Sequence, residues 1–314
     1  MQFESLSESQ LRQYIDAETV FTAWQKARIE AQSVRGSMFW RELRGKMTLL
    51  RVSTTGAQTV IGKDTPDDHA LFERFMKRKE DAGNRIKSLR GAVNEQQRLN
   101  RALRVGRVPE VVVRILNAIN AAGLADHLTT VGTHALFAYE AACGVRIQPS
   151  AMMTQDVDHF FDTRQRMAFF SQMERIGASL IGILQKADPS FKVMDEQKQT
   201  AMNKKGFQVD VIRRQAKDDD PHPLGMSSSE DDLWAVQIPD AQHVDSASRF
   251  SQVIVATTGE MATMHTMDPL AFVRLKQALS QDPKRNPLKR PKDALQSKVV
   301  QQLVDEFLQY RGLT

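Results

Sequence analysis

The alternation of apolar and polar positions divides the chain into helical and extended stretches. Leu11, Tyr14, Ile15, Phe21, Trp24, Ala27 and Ala31 recur at three- and four-residue steps, which predicts a helix over residues 5–35 with Ser5 or Ser7 as its cap. The period then shortens to two. Thr48–Val52 and Thr59–Ile61 flank Ser53-Thr54-Thr55-Gly56, the pattern of a β-hairpin with a longer loop. Asp64-Thr65-Pro66-Asp67-Asp68 opens a long helix reaching about Arg104, with proline in its first turn and acids at its positive end. The apolar stripe of that helix (Phe75, Ile86, Leu89, Val93, Leu103) is narrow and suits an arm packed on a neighbour. Trp24, Phe39 and Trp40 supply core to this N-terminal part.

After a break at Gly106-Arg107-Val108-Pro109, Glu110–Ala122 is an amphipathic helix stopped at Gly123. A β-type run at Thr129–Val131 turns at Gly132 into a helix that ends at Gly144. Thr154–Phe161 reads as a buried strand, with a helix over 164–185 behind it. Phe191–Met194, Gln199–Met202 and Gly206–Ile212 are extended. The last two are joined by Asn203-Lys204-Lys205-Gly206, which places a hairpin beside the Thr154–Phe161 strand. A polar loop over Lys217–Ser229 precedes strands at Leu233–Ile238 and Phe250–Ala256, and helices over Asp268–Leu279 and Lys298–Tyr310 close the chain. The fold class is α+β: a small mixed sheet forms a core over residues 107–260. A mainly helical region with a hairpin, residues 1–106, precedes it, and a helical segment, 261–314, follows.

With 314 residues, 41% hydrophobic and 26% charged, the composition is that of a soluble globular protein. No apolar run reaches the ~18–20 residues of a membrane span and no secretory h-region is present, so the expected location is cytoplasmic, with no membrane partner. Cys143, the one cysteine, excludes an intrachain disulfide and a multi-cysteine metal site, and is read as a small buried residue. The net charge of +5 is mild but uneven. Arg74 to Arg107 holds eleven Lys or Arg against three acids, and Lys284–Lys292 is a second basic run. Each is either a solvated face or a grip on a polyanion such as RNA, DNA or a nucleotide.

The chemistry centres on Asp156 and Asp158. Alternate residues of a strand leave from the same face, here roughly 6–7 Å apart. Asp210, in the later apolar strand, is the candidate third carboxylate. Pairs of carboxylates about 6 Å apart repel by roughly 3 kcal/mol at an effective dielectric near 20, so such a cluster needs cations. At Gly132–Thr133, a strand turning into a helix offers backbone N–H groups to phosphate. His134 and His159 are assigned to packing, with His159 facing away from Asp158.

Taken in order, Val131-Gly132-Thr133-His134-Ala135-Leu136, Thr154-x-Asp156-x-Asp158 and Asp210 resemble the polymerase β-type nucleotidyltransferase superfamily. Within it, the Gly-Thr-x-Ala-Leu-x-Ala-Tyr-Glu run, the Asp-Val-Asp strand and Gly-Phe-x-Val-Asp-x-Ile resemble a bacterial nucleotidyltransferase family, most closely from Arg107 to Arg213. Leu270–Lys276 and Arg290–Asp293 are similar to Lys-Leu and Lys-Asp patches of antitoxin-linked nucleotidyltransferases. Two departures are Thr133 where Gly or Ser is usual, and 24 positions between Gly132 and Asp156.

The resemblance implies transfer of an NMP from an NTP to a hydroxyl of RNA, protein or a small molecule, releasing pyrophosphate. It assigns Asp156, Asp158 and Asp210 to Mg²⁺ (or Mn²⁺) and makes Asp210 a possible base. Gly132 and Thr133 would hold the triphosphate, and Lys204, Lys205, Arg213, Arg214, Lys276 or Lys292 would neutralise it. A toxin–antitoxin or phage-defence setting is implied in the same way; the arginines of the basic arm have a protein partner or a second copy of the chain as their other candidate occupant. The alternative is a non-catalytic nucleic-acid-binding protein that retains the fold, with the basic arm as its working part.

Overall fold

A computed structural model describes residues 2–217, 220–238, 244 and 247–309. The chain begins with a three-residue strand, β1 (Phe3–Ser5), and a helix, α1 (Glu8–Glu30). Three strands follow, β2 (Ser37–Leu43), β3 (Lys46–Val52) and β4 (Gln58–Lys63), and then a 37-residue helix, α2 (Pro66–Ala102). At 1.5 Å per residue α2 is about 55 Å long. Residues 12–103 form one compact unit; residues 1–11 and 104–314 form the other.

In the first of these units α1 and α2 run antiparallel. Gln13 Nε2 donates to Gln96 Oε1 (2.7 Å) and Asn100 Oδ1 (3.1 Å), while Arg85 near the middle of α2 meets Glu30 at the end of α1. Thr65 caps α2, accepting from Asp68 N at 3.3 Å and donating to Asp68 Oδ2 at 2.7 Å, with Pro66 in the first turn. The expected hairpin is instead a three-stranded antiparallel sheet, because Ser37–Leu43 adds the strand β2 against β3. Met38, Trp40, Leu49 and Ile61 pack it against Phe72 and Phe75 of α2. Phe39, expected in the core, lies on the opposite face. Strand alternation turns it away from Met38 and Trp40.

The second unit is built on a mixed sheet, with strands β5 (Leu128–Val131), β6 (Val145–Ile147), β7 (Asp156–Phe161), β8 (Lys192–Met194), β9 (Gln197–Met202), β10 (Gln208–Arg213) and β11 (Val236–Gln237) among its elements. Its order is β5-β7-β10-β9-β8, with β11 on β10. The β7–β10 pairing is parallel, and β9–β10 is the expected hairpin through Asn203–Gly206. β1 pairs with β6. A two-stranded ribbon, β12 (Arg249–Val255) and β13 (Met261–Met267), completes the strands.

One face of the sheet, with Val157, Phe161, Val209 and Val211, packs against α3 (Glu110–Ala121). The other face, with Phe160 and Ile212, packs against α4 (Leu136–Cys143) and the ribbon. A short helix, α5 (Pro149–Met152), leads into β7. The helix expected over 164–185 is two helices, α6 (Arg166–Ile176) and α7 (Leu180–Ala187). Gly177 ends α6 at φ +57°, and Ser179 caps α7 while Asp232 accepts from Leu180 N and Ile181 N, each at 2.8 Å. The strand expected over 233–238 is reduced to β11.

The last helices are α8 (Pro269–Gln281) and α9 (Arg290–Leu303). α9 starts eight residues before the expected Lys298, and Val299, Val300 and Leu303 join the same core as α4. Asp218 and Asp219 of the expected loop, and Tyr310 at the expected end of the last helix, lie outside the described residues. Cys143 is half-buried. Among the described residues no helix is long and apolar enough to cross a membrane.

Candidate active site

β7 is held from both sides. Val131 at the end of β5 is level with Asp158, and on the other side Asp210 of β10 is level with Asp158 and Gln208 with Asp156. Alternation sends Val157 and Phe161 into one core and leaves Asp156 and Asp158 on the face of Phe160. The parallel register then sets the third carboxylate beside the second. Oxygens of Asp156, Asp158 and Asp210 all lie within 4.8 Å of one another.

Gly132 follows β5 directly. Its φ of +68° belongs to the left-handed region, and a Cβ there would meet Asp158 Oδ2 at 2.5 Å. The turn Gly132–Ala135 continues into α4. Gln296 of α9 donates to Thr133 Oγ1 at 3.1 Å and to the Ala151 carbonyl at 2.8 Å, tying the turn to α5. Thr154 Oγ1 donates to the Asp156 carboxylate, and Thr200 Oγ1 donates to Asp210 Oδ1 at 2.5 Å.

Asp156 and Asp158 open onto a cavity of about 520 Å³ with two kinds of wall. One is cationic: Lys276, Arg285, Lys289 and Lys292. The other is apolar: Met153, Ile212, Ile238, Val244, Leu275 and Leu279. Lys276 is buried and donates to Asp293 Oδ1 at 2.7 Å, while Arg285 Nε donates to Asp293 Oδ2 at 2.9 Å. Lys292 donates to the Met153 carbonyl.

Burial, with the charges of Asp156 and Asp210, pushes Asp158 up to about 7; Lys276 and Lys289 act against that rise. Asp210 is raised by burial and by Asp156, with the Thr200 hydroxyl opposing. Burial lowers Lys276 in spite of Asp293, and lowers Lys292 with help from Lys276. A concentrated negative site therefore lies beside a cationic wall in which Lys276 is buried, Lys292 is half-buried and Lys289 is exposed. Three acidic oxygens this close, two of them on carboxyls raised by burial and by the neighbouring carboxylates, fit a hard divalent cation that keeps waters and takes further oxygens from a ligand.

The residues singled out in the sequence divide into two groups. Asp156, Asp158, Asp210, Gly132, Thr133, Lys276 and Lys292 meet at this cavity or on its rim. Lys204 and Lys205 do not. They sit in the β9–β10 turn, where Lys205 lines a separate cavity of about 320 Å³ with Glu110, Arg114 and Gln155. Arg213 stands three residues past Asp210, so its side chain leaves the opposite face. It is buried and donates to the Pro221 carbonyl at 2.9 Å. Arg214 pairs with Asp220.

His134 and His159 are buried and held near 4 by desolvation, which leaves both rings neutral. Sequence reading missed Arg285, Lys289 and Gln296. The spacing 289, 292, 296 is the signal that marks one face of a helix.

A family model described as nucleotidyltransferase matches residues 110–311. The chain belongs to this nucleotidyltransferase family. No curated protein and no solved structure matches it. In this nucleotidyltransferase the matched span takes in the carboxylates, the Gly132 turn and the whole cationic wall, and excludes the unit of residues 12–103.

Proposed function

We propose that the protein transfers an NMP from an NTP to a hydroxyl acceptor and releases pyrophosphate, with Asp156, Asp158 and Asp210 as its metal ligands. The observation that carries this reading is the convergence of three carboxylates, two of which, Asp156 and Asp158, line a cavity that Lys276, Arg285, Lys289 and Lys292 also line. Mg²⁺, or Mn²⁺, held by those carboxylates would neutralise charge on the attacking and leaving oxygens of an in-line displacement. The triphosphate fits the Thr133 hydroxyl, the turn at Gly132 and the ammonium groups of Lys276, Lys289 and Lys292. The apolar wall of Met153, Ile238 and Leu279 suits the flat faces of a base. Asp210, raised by burial, would serve as the base that takes the proton of the acceptor hydroxyl.

The test is incubation with Mg²⁺ and each α-labelled NTP in turn, offering total RNA and total protein. Label in RNA, in protein or in a small product identifies the acceptor class. Absence of transfer with every NTP and with both Mg²⁺ and Mn²⁺ would leave a nucleic-acid-binding protein on a nucleotidyltransferase scaffold.

A further inference from the structure

The positive charge of the chain is concentrated in the unit that does not carry the three carboxylates. Residues 12–103 hold eighteen Lys or Arg against eleven Asp or Glu, so this unit's net +7 exceeds the +5 of the whole chain. Within it, residues 35–63, which carry the three-stranded sheet, hold six cations (Arg35, Arg41, Arg44, Lys46, Arg51, Lys63) and one acid, Glu42.

Strand register sorts these side chains by face. Phe39, Leu50 and Val60 stand level across the three strands, on the side away from Met38 and Leu49. On that same outer side Arg41, Thr48 and Lys63 form the next row, a β-bulge between Leu49 and Leu50 bringing Lys63 to the face of Val60, and Leu43 and Lys46 form the one after. Arg41 Nη1 reaches across the central strand to Gln58 Oε1 at 3.4 Å, consistent with Leu50 beneath it being only 4% exposed. Val60 is 58% exposed and Lys46 and Lys63 are exposed. Arg44 and Gly45, both at positive φ, make the tight turn that carries a further cation to the tip of this face. The result is a flat sheet face with an apolar row, one aromatic ring, and cations about one residue pair (~6.6 Å) apart along the strand.

We propose that this outer face is a platform for single-stranded nucleic acid. Phosphates would meet Arg41, Arg44, Lys46 and Lys63, and a base would lie on Phe39. A positive surface that follows a backbone, combined with an aromatic side chain for stacking, is the general physics of single-strand binding. That the bound strand is the hydroxyl acceptor rests on the transferase reading; the binding itself does not.

The experiment is fluorescence anisotropy of labelled twelve-nucleotide RNA and DNA of mixed sequence, titrated with the full chain without NTP or metal over a salt series. Four phosphate contacts give a log–log slope of about −3. Arg41→Gln, Arg44→Gln and Lys46→Gln together flatten it by about 2 and weaken binding by on the order of tenfold at low salt. Phe39→Leu weakens binding several-fold with the slope unchanged, at a wild-type melting temperature. If the triple variant loses binding while the wild type transfers no nucleotide, the platform stands and the transferase reading falls. Undetectable binding at low salt, or a triple variant with the wild-type slope, overturns the platform. Tighter binding to phosphatidylserine vesicles than to the oligonucleotides, lost in the triple variant, would reassign the face to a membrane surface.

Discussion

Gly132 leaves the space that Asp158 occupies: a methyl group on its Cα would lie 2.5 Å from Asp158 Oδ2. The carboxylate cannot retreat easily, since Asp156 and Asp210 crowd it. Gly132→Ala therefore meets two penalties. The left-handed backbone costs about 1–2 kcal/mol for a residue with a Cβ, and the clash displaces a carboxylate of the proposed metal site. Thermal unfolding should show the first, and NMP transfer should fall beyond what the lost stability explains.

The raised Asp158 sets a pH dependence of stability. Its folded value is about 7 against an ordinary 3.8, so between those values the folded state holds a proton that the unfolded state has lost. Stability is then full below about 4 and declines as pH rises through 7, by up to about 4 kcal/mol. Urea unfolding without metal should give a lower midpoint at pH 8 than at pH 5.5. Asp158→Asn should remove most of that difference, and Mg²⁺ should restore stability at pH 8.

Asp156→Ala and Asp158→Ala should each abolish transfer while leaving the fold intact, because each removes a ligand and relieves repulsion. Melting temperatures without metal should be unchanged or higher. Wild-type transfer in either variant would overturn the metal-ligand role proposed for these carboxylates.

Two sets of lysines should behave oppositely toward nucleotide. Lys289→Gln and Lys292→Gln line the cavity and should each weaken NTP binding about tenfold, as expected for a charged hydrogen bond. Lys204→Gln and Lys205→Gln sit at another cavity or turn and should leave it unchanged in calorimetric titration.

Asp293→Ala strands the buried Lys276 without its partner at 2.7 Å. A loss of about 3–5 kcal/mol is expected in denaturant unfolding. Asp293→Asn, which keeps an acceptor in place, should lose less.

The carboxylate cluster was legible because each member sits in a short run whose own pattern names the element. Asp156-Val157-Asp158 and Val209-Asp210-Val211 alternate cleanly, and a shared face follows from strand geometry. Gly132 was legible for a similar reason, as a break between two periods. Lys289 and Gln296 were not, since Pro287, Pro291 and the dense charge of 284–292 obscured a helix that in fact carries Pro291 in its first turn. β13, Met-Ala-Thr-Met-His-Thr-Met, has few residues that favour strands by themselves; seven cross-strand pairs with β12 supply what its composition lacks. Arg213 shows the limit of proximity in sequence, because an odd offset along β10 exchanges one face for the other.

β1 gives the catalytic unit an unusual wiring. Phe3 is level with Ile147, a separation of 144 positions, and residues 12–103 are inserted between the two parts that this pairing joins. Gln10 Nε2 donates to the Arg104 carbonyl at 3.3 Å, so both ends of the insert leave the catalytic unit at nearly one point. Such a junction behaves like the neck of a loop, whose closure cost grows only with the logarithm of its length. The length of the insert therefore weighs little on the stability of the unit that carries the carboxylates, whose own first strand is held by its pairing with β6.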